Sequence, residues 1–261
     1  MKQVKEFKSS PVEQELGFVN WCKEKNVKMV LADGDDTLWS TGPIFNKQME
    51  KCYDLLTQTG LLNRETWKNE IETINDRFFE NHGVNPIRWN NVIQELSKFG
   101  LDNIVLKEAK SILAKIYQTP PVFIKDTESG LDFINKVNIP FGIVTHANAE
   151  WTKRKFDWLK LNRFINLDDI YIIDENSHKN EETWLSAMDY FKVKPENCLV
   201  IGDSPRSDIN PVCRLGVQNC FLIQNEYDVW TVHQQPVDEI KTRPIKSVYD
   251  LRWLAGEIIH R

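Results

Sequence analysis

Two aspartates two residues apart follow an apolar segment, in the sequence DGDDTL at 33–38. The preceding residues, 27–32, are short, apolar and β-branched at their start, which predicts a buried strand. Residues two apart in an extended chain point to the same side, so Asp33 and Asp35 could face one ligand. Because no Lys or Arg lies within this motif, such a pair of carboxylates needs a cation or a shared proton.

Besides a reaction centre, this motif could form a calcium-binding loop or a simple acidic turn. A calcium-binding loop also begins Asp-x-Asp, but it needs Gly at its sixth position and Glu at its twelfth. Leu38 and Ile44 occupy those positions, which excludes such a loop. An acidic turn remains open on this motif alone, because Asp and Gly favour turns.

A second candidate lies where the apolar segment 141–144 ends at Thr145 and His146. A hydroxyl at that point, together with the free N–H groups of a following helix, suits a phosphate oxygen. Taken alone, this motif favours the simpler interpretation that Thr145 caps the helix.

A third candidate is the segment GDSPRSD at 202–208, which follows another apolar strand. Asp203 and Asp208 could complete an oxygen-rich site for Mg²⁺, which prefers carboxylates and water. As an isolated motif it is explained equally well by turn formation. Lys179 precedes a predicted helix, where a lysine is usually a solvated surface charge.

The segments around these residues alternate between strand and helix. Such alternation predicts an α/β fold with a parallel sheet covered by helices on both faces. The strands are expected at 27–32, 140–145, 169–173, 198–202 and 219–223, and the helices at 128–136, 151–161, 181–191 and 211–215. Parallel strands end at one edge of a sheet, so the candidate side chains should meet there.

The region between the first two candidate motifs has a different pattern. Apolar residues recur there at helical spacing in four segments, with turn signals between them. We therefore predict a helical domain at 43–118, inserted into an α/β core domain made of 1–42 and 119–261. A capping box predicts a first helix from Ser10 to about Lys23, and Ser247 begins a final amphipathic helix that includes Ile258. The pattern between 225 and 244 is weak, and no element is assigned to it.

Composition restricts the class of protein. The 261 residues include 33 Lys and Arg against 38 Asp and Glu, a net charge of −5. Without a long basic run, no nucleic-acid partner is expected. No run of 18 apolar residues exists, so no membrane span is expected. Five cysteines without a CxxC pair favour a reduced, cytoplasmic protein. The oligomeric state is left open.

Taken together, the four motifs resemble those of the haloacid dehalogenase-like superfamily, in its phosphatase type. The matching residues occur in the family's order: Asp33-x-Asp35-x-Thr37, then Thr145, then Lys179, then Gly202-Asp203-Ser204-x-x-x-Asp208. The resemblance spans about 27 to 224, and the inserted helices resemble that family's helical cap of the first type. It implies a Rossmann-like core with an α-helical cap. Two residues depart from the usual pattern, since His146 stands where Asn is more usual and Asn180 where Pro is common.

The resemblance also implies roles for these residues. Asp33 would be the nucleophile that forms an aspartyl phosphate, and Asp35 would protonate the leaving oxygen and later activate water. The cofactor would be Mg²⁺, held by Asp33, the backbone carbonyl of Asp35, and Asp203, with Asp208 as a further ligand or as a support for one.

The implied substrate is a small phosphomonoester. Thr145, His146 and Lys179 would lie at its phosphate, and Lys179 would stabilise the charge of the transition state. Specificity would come from the cap, where the candidate contacts are Arg77, His82, Arg88 and Trp89.

Three other functions remain open on this fold. A dehalogenase uses an Asp nucleophile but typically lacks an Asp at position 35, because a halide leaves without a proton. A phosphomutase would use the same residues and exclude water. A non-catalytic binding protein is expected to have lost some of these groups, and all of them are present.

Overall fold

A computed structural model describes residues 10–224 and 242–257, with backbone alone for the last three. The described strands are β1 (Met29–Ala32), β2 (Trp39–Ser40), β3 (Val122–Phe123), β4 (Phe141–His146), β5 (Ile170–Ile173), β6 (Cys198–Gly202), β7 (Asn219–Ile223) and β8 (Arg243–Ile245). The described α-helices are α1 (Pro11–Glu24), α2 (Gly42–Thr57), α3 (Arg64–His82), α4 (Ile87–Glu95), α5 (Asn103–Ala114), α6 (Thr127–Val137), α7 (Ala149–Trp158), α8 (Glu181–Tyr190) and α9 (Asn210–Arg214).

Within the described residues, six strands form one parallel sheet in the order β5-β4-β1-β6-β7-β8. The predicted α/β fold class is therefore confirmed. In register, Ala32 at the end of β1 lies between Ile143 of β4 and Ile201 of β6. The three strands that precede the candidate residues are thus neighbours, and their carboxyl ends form one edge.

Two apolar layers cover the sheet, which explains why its strands are apolar throughout. In β1, Val30 and Ala32 pack with α1, α6 and the carboxyl-terminal helix. Met29 and Leu31 point to the opposite face and pack with α8 and α9. The alternation along β1 therefore places apolar side chains in both layers, and the polar residues start only where the strand ends.

The four helices predicted for 43–118 are confirmed as α2 to α5, and they share an apolar cluster of their own. That cluster also includes Ala147 and Trp151, which lie just after β4. These helices therefore pack directly on the start of α7. We call α2 to α5, with the loops that join them, the cap, and we call the six-stranded sheet with the helices that cover it the core. The division of the chain into a core domain and a cap domain at the stated boundaries stays a prediction.

The first helix begins as predicted, because Ser10 and Glu13 form a complete capping box. The final helix is a 3-10 helix at Val248–Glu257, and it buries Leu251 and Leu254, whereas Ile258 lies outside the described residues.

Three short strands were not predicted. β2 and β3 pair antiparallel and have two residues each, too few for a period-2 pattern. The third is β8, a described edge strand of the sheet that contains Pro244, and proline lowers strand propensity except at edges. Most of the segment left without assignment, 225–241, lies outside the described residues. None of the described helices is both long and apolar enough to cross a membrane.

Candidate active site

Three carboxylates meet at the carboxyl edge of the sheet. Asp33 follows β1 and Asp203 follows β6, while Asp208 lies in a π-helix at Pro205–Ile209. Each of the three offers an oxygen, and these oxygens lie within 4.8 Å of one another. The structure therefore brings together three of the four residues predicted at the metal. The side chain of Asp35 lies outside this cluster, and a role for its backbone carbonyl stays a prediction.

Lys179 lies among these carboxylates, buried at 7 % exposure. Its Nζ is 2.5 Å from Oδ1 of Asp33 and 2.6 Å from Oδ1 of Asp208. The same ammonium donates to the carbonyl of Val144 at 2.9 Å. The ammonium therefore donates hydrogen bonds to Asp33 and Val144 and forms an ion pair with Asp208. The interpretation of Lys179 as a solvated surface charge is excluded.

The electrostatics of the cluster favour an added cation. Burial raises the pKa of Asp33 to about 7, with Lys179 lowering it and Asp208 raising it. The pKa of Asp203 is well above its usual value, because of burial and the nearby carboxylates of Asp208 and Asp33. Although burial opposes the charged ammonium, Asp208 and Asp33 raise the pKa of Lys179. One ammonium cannot neutralise three carboxylates, and an all-oxygen donor set is the kind that Mg²⁺ prefers.

The backbone explains how Asp208 reaches the cluster. A Cβ on Gly202 would lie 2.2 Å from Cβ of Asp208, so only glycine permits this approach. Asp208 Oδ2 accepts the N–H of Ser204 at 3.0 Å, which closes the turn. Thr37 donates to Oδ1 of Asp203 at 3.2 Å and links the first motif to the last.

Asp35 is held by a residue that the sequence reasoning missed. Nζ of Lys155, on α7, donates to both carboxylate oxygens of Asp35 at 2.7 Å. The indole N–H of Trp39 also donates to Oδ1, at 2.5 Å. The Lys155 side chain is 0 % exposed, and that of Asp35 is 24 % exposed. A pattern could have indicated Lys155, because it stands between Trp151 and Leu159 at i, i+4, i+8 spacing on a buried helix face.

Asp36 is a second residue that was missed, and it connects the site to the cap. Its backbone is left-handed, with φ +60°. Its carboxylate accepts the N–H groups of Thr41 and Gly42 at 2.9 and 2.8 Å, where α2 begins. Burial raises the pKa of Asp36 to about 6, while the N–H of Gly42 lowers it. The motif thus fixes the start of the first cap helix.

Thr145 and His146 end β4 beside Lys179. Thr145 is 1 % exposed, and its hydroxyl has no hydrogen-bond partner among the described residues. Nε2 of His146 is also buried without a described partner. Burial, and then the charge of Lys179, lowers the pKa of His146 to about 4, against a hydrogen bond to the main chain of Asp174 that raises it. At neutral pH this imidazole is uncharged.

A cavity of about 400 Å³ lies between the cap helices and α7. Of the four predicted specificity residues, Trp89 lines it, beside Trp151. The other three lie elsewhere in the described structure. Arg88 is buried and donates to the carbonyl of Gly83. Arg77 pairs with Glu95, and His82 stacks on Phe78 with ring centroids 5.9 Å apart.

The cap also contacts the core through a loop between α3 and α4. The N–H of Val84 donates to the carbonyl of Glu175 at 2.9 Å. The Glu175 carboxylate accepts the side-chain amide of Asn85 at 2.8 Å, and it accepts that of Asn148 on the core. Gly83 has φ +51°, and a Cβ there would lie 2.5 Å from the carbonyl oxygen of Glu175. We call these five residues the Glu175 contact.

Comparison with known proteins identifies a family and structures with a similar fold. The family model for haloacid dehalogenase-like hydrolases matches residues 30–221. A haloacid dehalogenase-like family hydrolase from Xanthomonas campestris has a similar structure, with a TM-score of 0.71 and 18% identity over 89% of this chain and 94% of that one.

Two further similar structures have different activities in their names. A phosphatase of the family from Thermococcus onnurineus has a TM-score of 0.59 and 18% identity, covering 88% of this chain and 98% of that one. A 2-haloacid dehalogenase from Pseudomonas syringae pv. Tomato has a TM-score of 0.56 and 17% identity, covering 89% and 99%. At these identities the structures show a shared fold. No protein of curated function matches this sequence. Because the family model covers most of the chain, this protein belongs to the haloacid dehalogenase-like hydrolases.

Proposed function

We propose that this hydrolase is a Mg²⁺-dependent phosphatase of the cytoplasm that cleaves a small phosphomonoester through an aspartyl phosphate on Asp33. The observation that carries the proposal is the second carboxylate, Asp35. It stands apart from the acidic cluster and is held by Lys155 and Trp39. A halide leaves without a proton, so a dehalogenase has no use for such a group. An alkoxide is a poor leaving group and needs one.

The reaction has two halves, and both Asp33 and Asp35 take part in each. A carboxylate oxygen of Asp33 attacks phosphorus, the bond from phosphorus to the leaving oxygen breaks, and Asp35 gives that oxygen a proton. Water then attacks the aspartyl phosphate, the bond from phosphorus to Asp33 breaks, and Asp35 takes the proton from water. The products are an alcohol and inorganic phosphate, and both carboxyl groups return to their starting states.

The cation would be held by Asp33, Asp203 and Asp208, whose oxygens already lie within 4.8 Å of one another. When bound, Mg²⁺ supplies positive charge that offsets the repulsion between an anionic nucleophile and a phosphate dianion. Lys179 lies against the same carboxylates and would add positive charge at the phosphate. The backbone carbonyl of Asp35 remains a proposed further ligand.

The groups after β4 would bind the substrate in two ways. The buried hydroxyl of Thr145 lacks a described partner and can donate to a phosphoryl oxygen. His146 was also expected at the phosphate, and its Nε2 is buried without a described partner, while a bond to the main chain of Asp174 raises its pKa. In the tautomer that donates there, Nε2 carries a lone pair. We therefore assign His146 to accept a hydrogen bond from a hydroxyl of the substrate.

The leaving group would occupy the cavity between cap and core. Its wall combines aromatic rings and amides with the charged side chains of Lys110, Glu150 and Arg154; the rings and amides are those of Trp89, Tyr117, Trp151, Asn85, Asn90 and Asn148. Such a wall suits a small polar molecule with an apolar face. The net charge of −5 and the lack of a basic run argue against a nucleic-acid substrate.

The test is hydrolysis of 4-nitrophenyl phosphate with Mg²⁺ and with a chelator. Wild type should require Mg²⁺, and Asp33→Asn should lose about a thousandfold or more in kcat. Asp189→Asn, at an exposed aspartate of α8, is the matched control and should keep wild-type activity. Full activity of Asp33→Asn would show that the nucleophile is wrong.

The same preparation decides between this function and its rivals. Release of halide from a 2-haloacid, without hydrolysis of phosphomonoesters, would instead support a dehalogenase. Transfer of the phosphoryl group to a second sugar hydroxyl, in preference to water, would support a phosphomutase. Inactivity towards every compound in a panel of phosphorylated metabolites and haloacids would support a binding protein.

A further inference from the structure

We infer that Lys155 is a positioning residue for Asp35, and that it keeps this carboxylate aimed for the hydrolysis of the phosphoenzyme. This inference rests on the proposed function. Among the described residues proposed to act on the phosphoryl group or the metal, Lys155 hydrogen-bonds to Asp35, so its effect on the chemistry would pass through Asp35. Lys155 lies outside the four motifs that carry the resemblance.

The contact between Lys155 and Asp35 is bidentate, because one ammonium donates to both carboxylate oxygens. The two Nζ to oxygen distances are equal, at 2.7 Å. Trp39 adds a third hydrogen bond, to Oδ1. Oδ2 has only Lys155 as a described partner, and the Asp35 side chain is 24 % exposed. The carboxylate is therefore fixed on one side and accessible on the other, where water or a leaving oxygen can approach.

The ammonium itself is fixed by two indole rings. Nζ of Lys155 lies 3.9 Å from the ring centroid of Trp151 and 5.5 Å from that of Trp39. Both are distances at which a cation is attracted to an aromatic face. Trp151 also lines the cavity between cap and core. The position of Asp35 is thus tied to the wall of the pocket proposed for the leaving group.

A lysine buried at 0 % exposure costs free energy unless it is paired. A purely structural role would be met by any pairing that satisfies the charge. Here the fully buried ammonium is paired with the carboxylate that acts twice in the proposed reaction. This choice of partner favours a role in positioning Asp35 over a role in stability alone. Misplacement of a reacting group by about 1 Å can cost about a hundredfold in rate. Without Lys155, a mobile Asp35 should therefore slow the hydrolysis of the aspartyl phosphate, in which it takes a proton from water.

The experiment separates the two halves of the reaction with 4-nitrophenyl phosphate, whose leaving group departs without a proton. In Lys155→Met, rapid mixing should show a burst near one nitrophenolate per enzyme at the wild-type rate. The steady-state kcat should then be about a hundredfold lower than in wild type. KM should fall by about the same factor, because kcat/KM reports the formation of the phosphoenzyme, which the variant leaves unchanged. Lys155→Arg, which can still donate to both oxygens, should recover part of kcat.

Lys153→Met is the matched control, because Lys153 is exposed on the same helix; it should behave as wild type. A burst and a steady state that fall together in Lys155→Met, or that both stay at wild-type values, would overturn the inference. If the wild-type enzyme shows no phosphatase activity that Asp33→Asn abolishes, the proposed function fails as well. The failure of the inference alone and the failure of the proposed function are therefore distinguishable.

A second comparison covers the case in which Lys155→Met does not fold. Asp35→Asn/Lys155→Met removes both charges, so no unpaired charge remains buried. If Lys155 acts through Asp35, the double variant should have the same burst and steady-state rates as Asp35→Asn, within about twofold. A further loss of tenfold or so would show that Lys155 acts by another route and would contradict the inference.

Discussion

At the scale of single residues, His146 shows how the site changes the chemistry of a side chain. It ends β4, and its imidazole is withdrawn from water next to the ammonium of Lys179. Both effects oppose a second positive charge, and they lower the pKa of His146 to about 4. A histidine in an unfolded chain titrates near about 6.5. Between these values the unfolded chain binds a proton that the folded protein does not.

This difference predicts a pH dependence of stability. Stability rises with pH wherever the unfolded state binds more protons, so the contribution of His146 is full above about pH 6.5 and is lost as the pH falls towards 4. From pH 7.5 to 5, wild type should lose about 1–2 kcal/mol more in free energy of unfolding than His146→Asn. Urea denaturation at both pH values measures it. Parallel losses in the two proteins would contradict the pKa shift.

At the scale of elements, the cap is joined to the core at two places near the chemistry. Asp36 accepts the N–H groups of Thr41 and Gly42 at the start of α2, and it stands directly after Asp35 in the first motif. The Glu175 contact joins the loop before α4 to the segment that leads from β5 to Lys179. The position of the cap is therefore coupled to the first and third motifs.

The Glu175 contact can be tested with two glycines. Gly83 and Gly60 both have positive φ, at +51° and +73°. A Cβ on Gly83 would lie 2.5 and 2.6 Å from main-chain oxygens of Glu175 and Ser177, whereas a Cβ on Gly60 meets nothing within 4 Å. Gly60→Ala should cost about 1 kcal/mol in free energy of unfolding from backbone strain alone.

Gly83→Ala should cost about 1–3 kcal/mol more than Gly60→Ala, because the overlap forces the loop away from the core. Urea denaturation of both variants gives the difference. Gly83→Ala should also raise KM for the substrate if the cap contact shapes the pocket. Equal losses of stability would mean that the two loops are not in contact in solution.

At the scale of the whole molecule, the cluster of Asp33, Asp203 and Asp208 lowers the stability of the folded state. A bound cation should offset this loss. Burial and mutual repulsion raise the pKa values of Asp33 and Asp203, which means that the folded state disfavours their charge. A cation that binds only the folded protein adds to stability by mass action. The sheet, which brings the three strand ends together, and the cation site should therefore stabilise each other.

Mg²⁺ should accordingly raise the Tm. At about a hundred times its Kd the gain is about 2.7 kcal/mol, or several degrees for a protein of this size. Differential scanning fluorimetry with Mg²⁺, at constant ionic strength, measures the shift. Asp208→Asn should lose most of it, while Asp189→Asn, which changes an exposed aspartate, should keep it. A shift of the same size in Asp208→Asn would place the cation elsewhere.

The sequence by itself determined the α/β fold and where on the sheet the candidate residues lie. Strand and helix alternate in 119–224, and parallel strands must end at one edge. Asp33, Thr145 and Asp203 each stand at the carboxyl end of a predicted strand, so their neighbourhood could be predicted without coordinates. The cap helices were equally readable, because their apolar periodicity is local.

Only the tertiary structure decided which side chains form hydrogen bonds and ion pairs with each other. Lys155 and Asp35 are 120 residues apart, and Glu175 is 90 residues from Asn85. Lys179 had the pattern of a surface residue, yet it is buried among carboxylates. Helical and strand periods report which face of an element is buried, and they carry no information on which distant element covers it. The partner of a buried charge is set by packing, which depends on the whole chain at once.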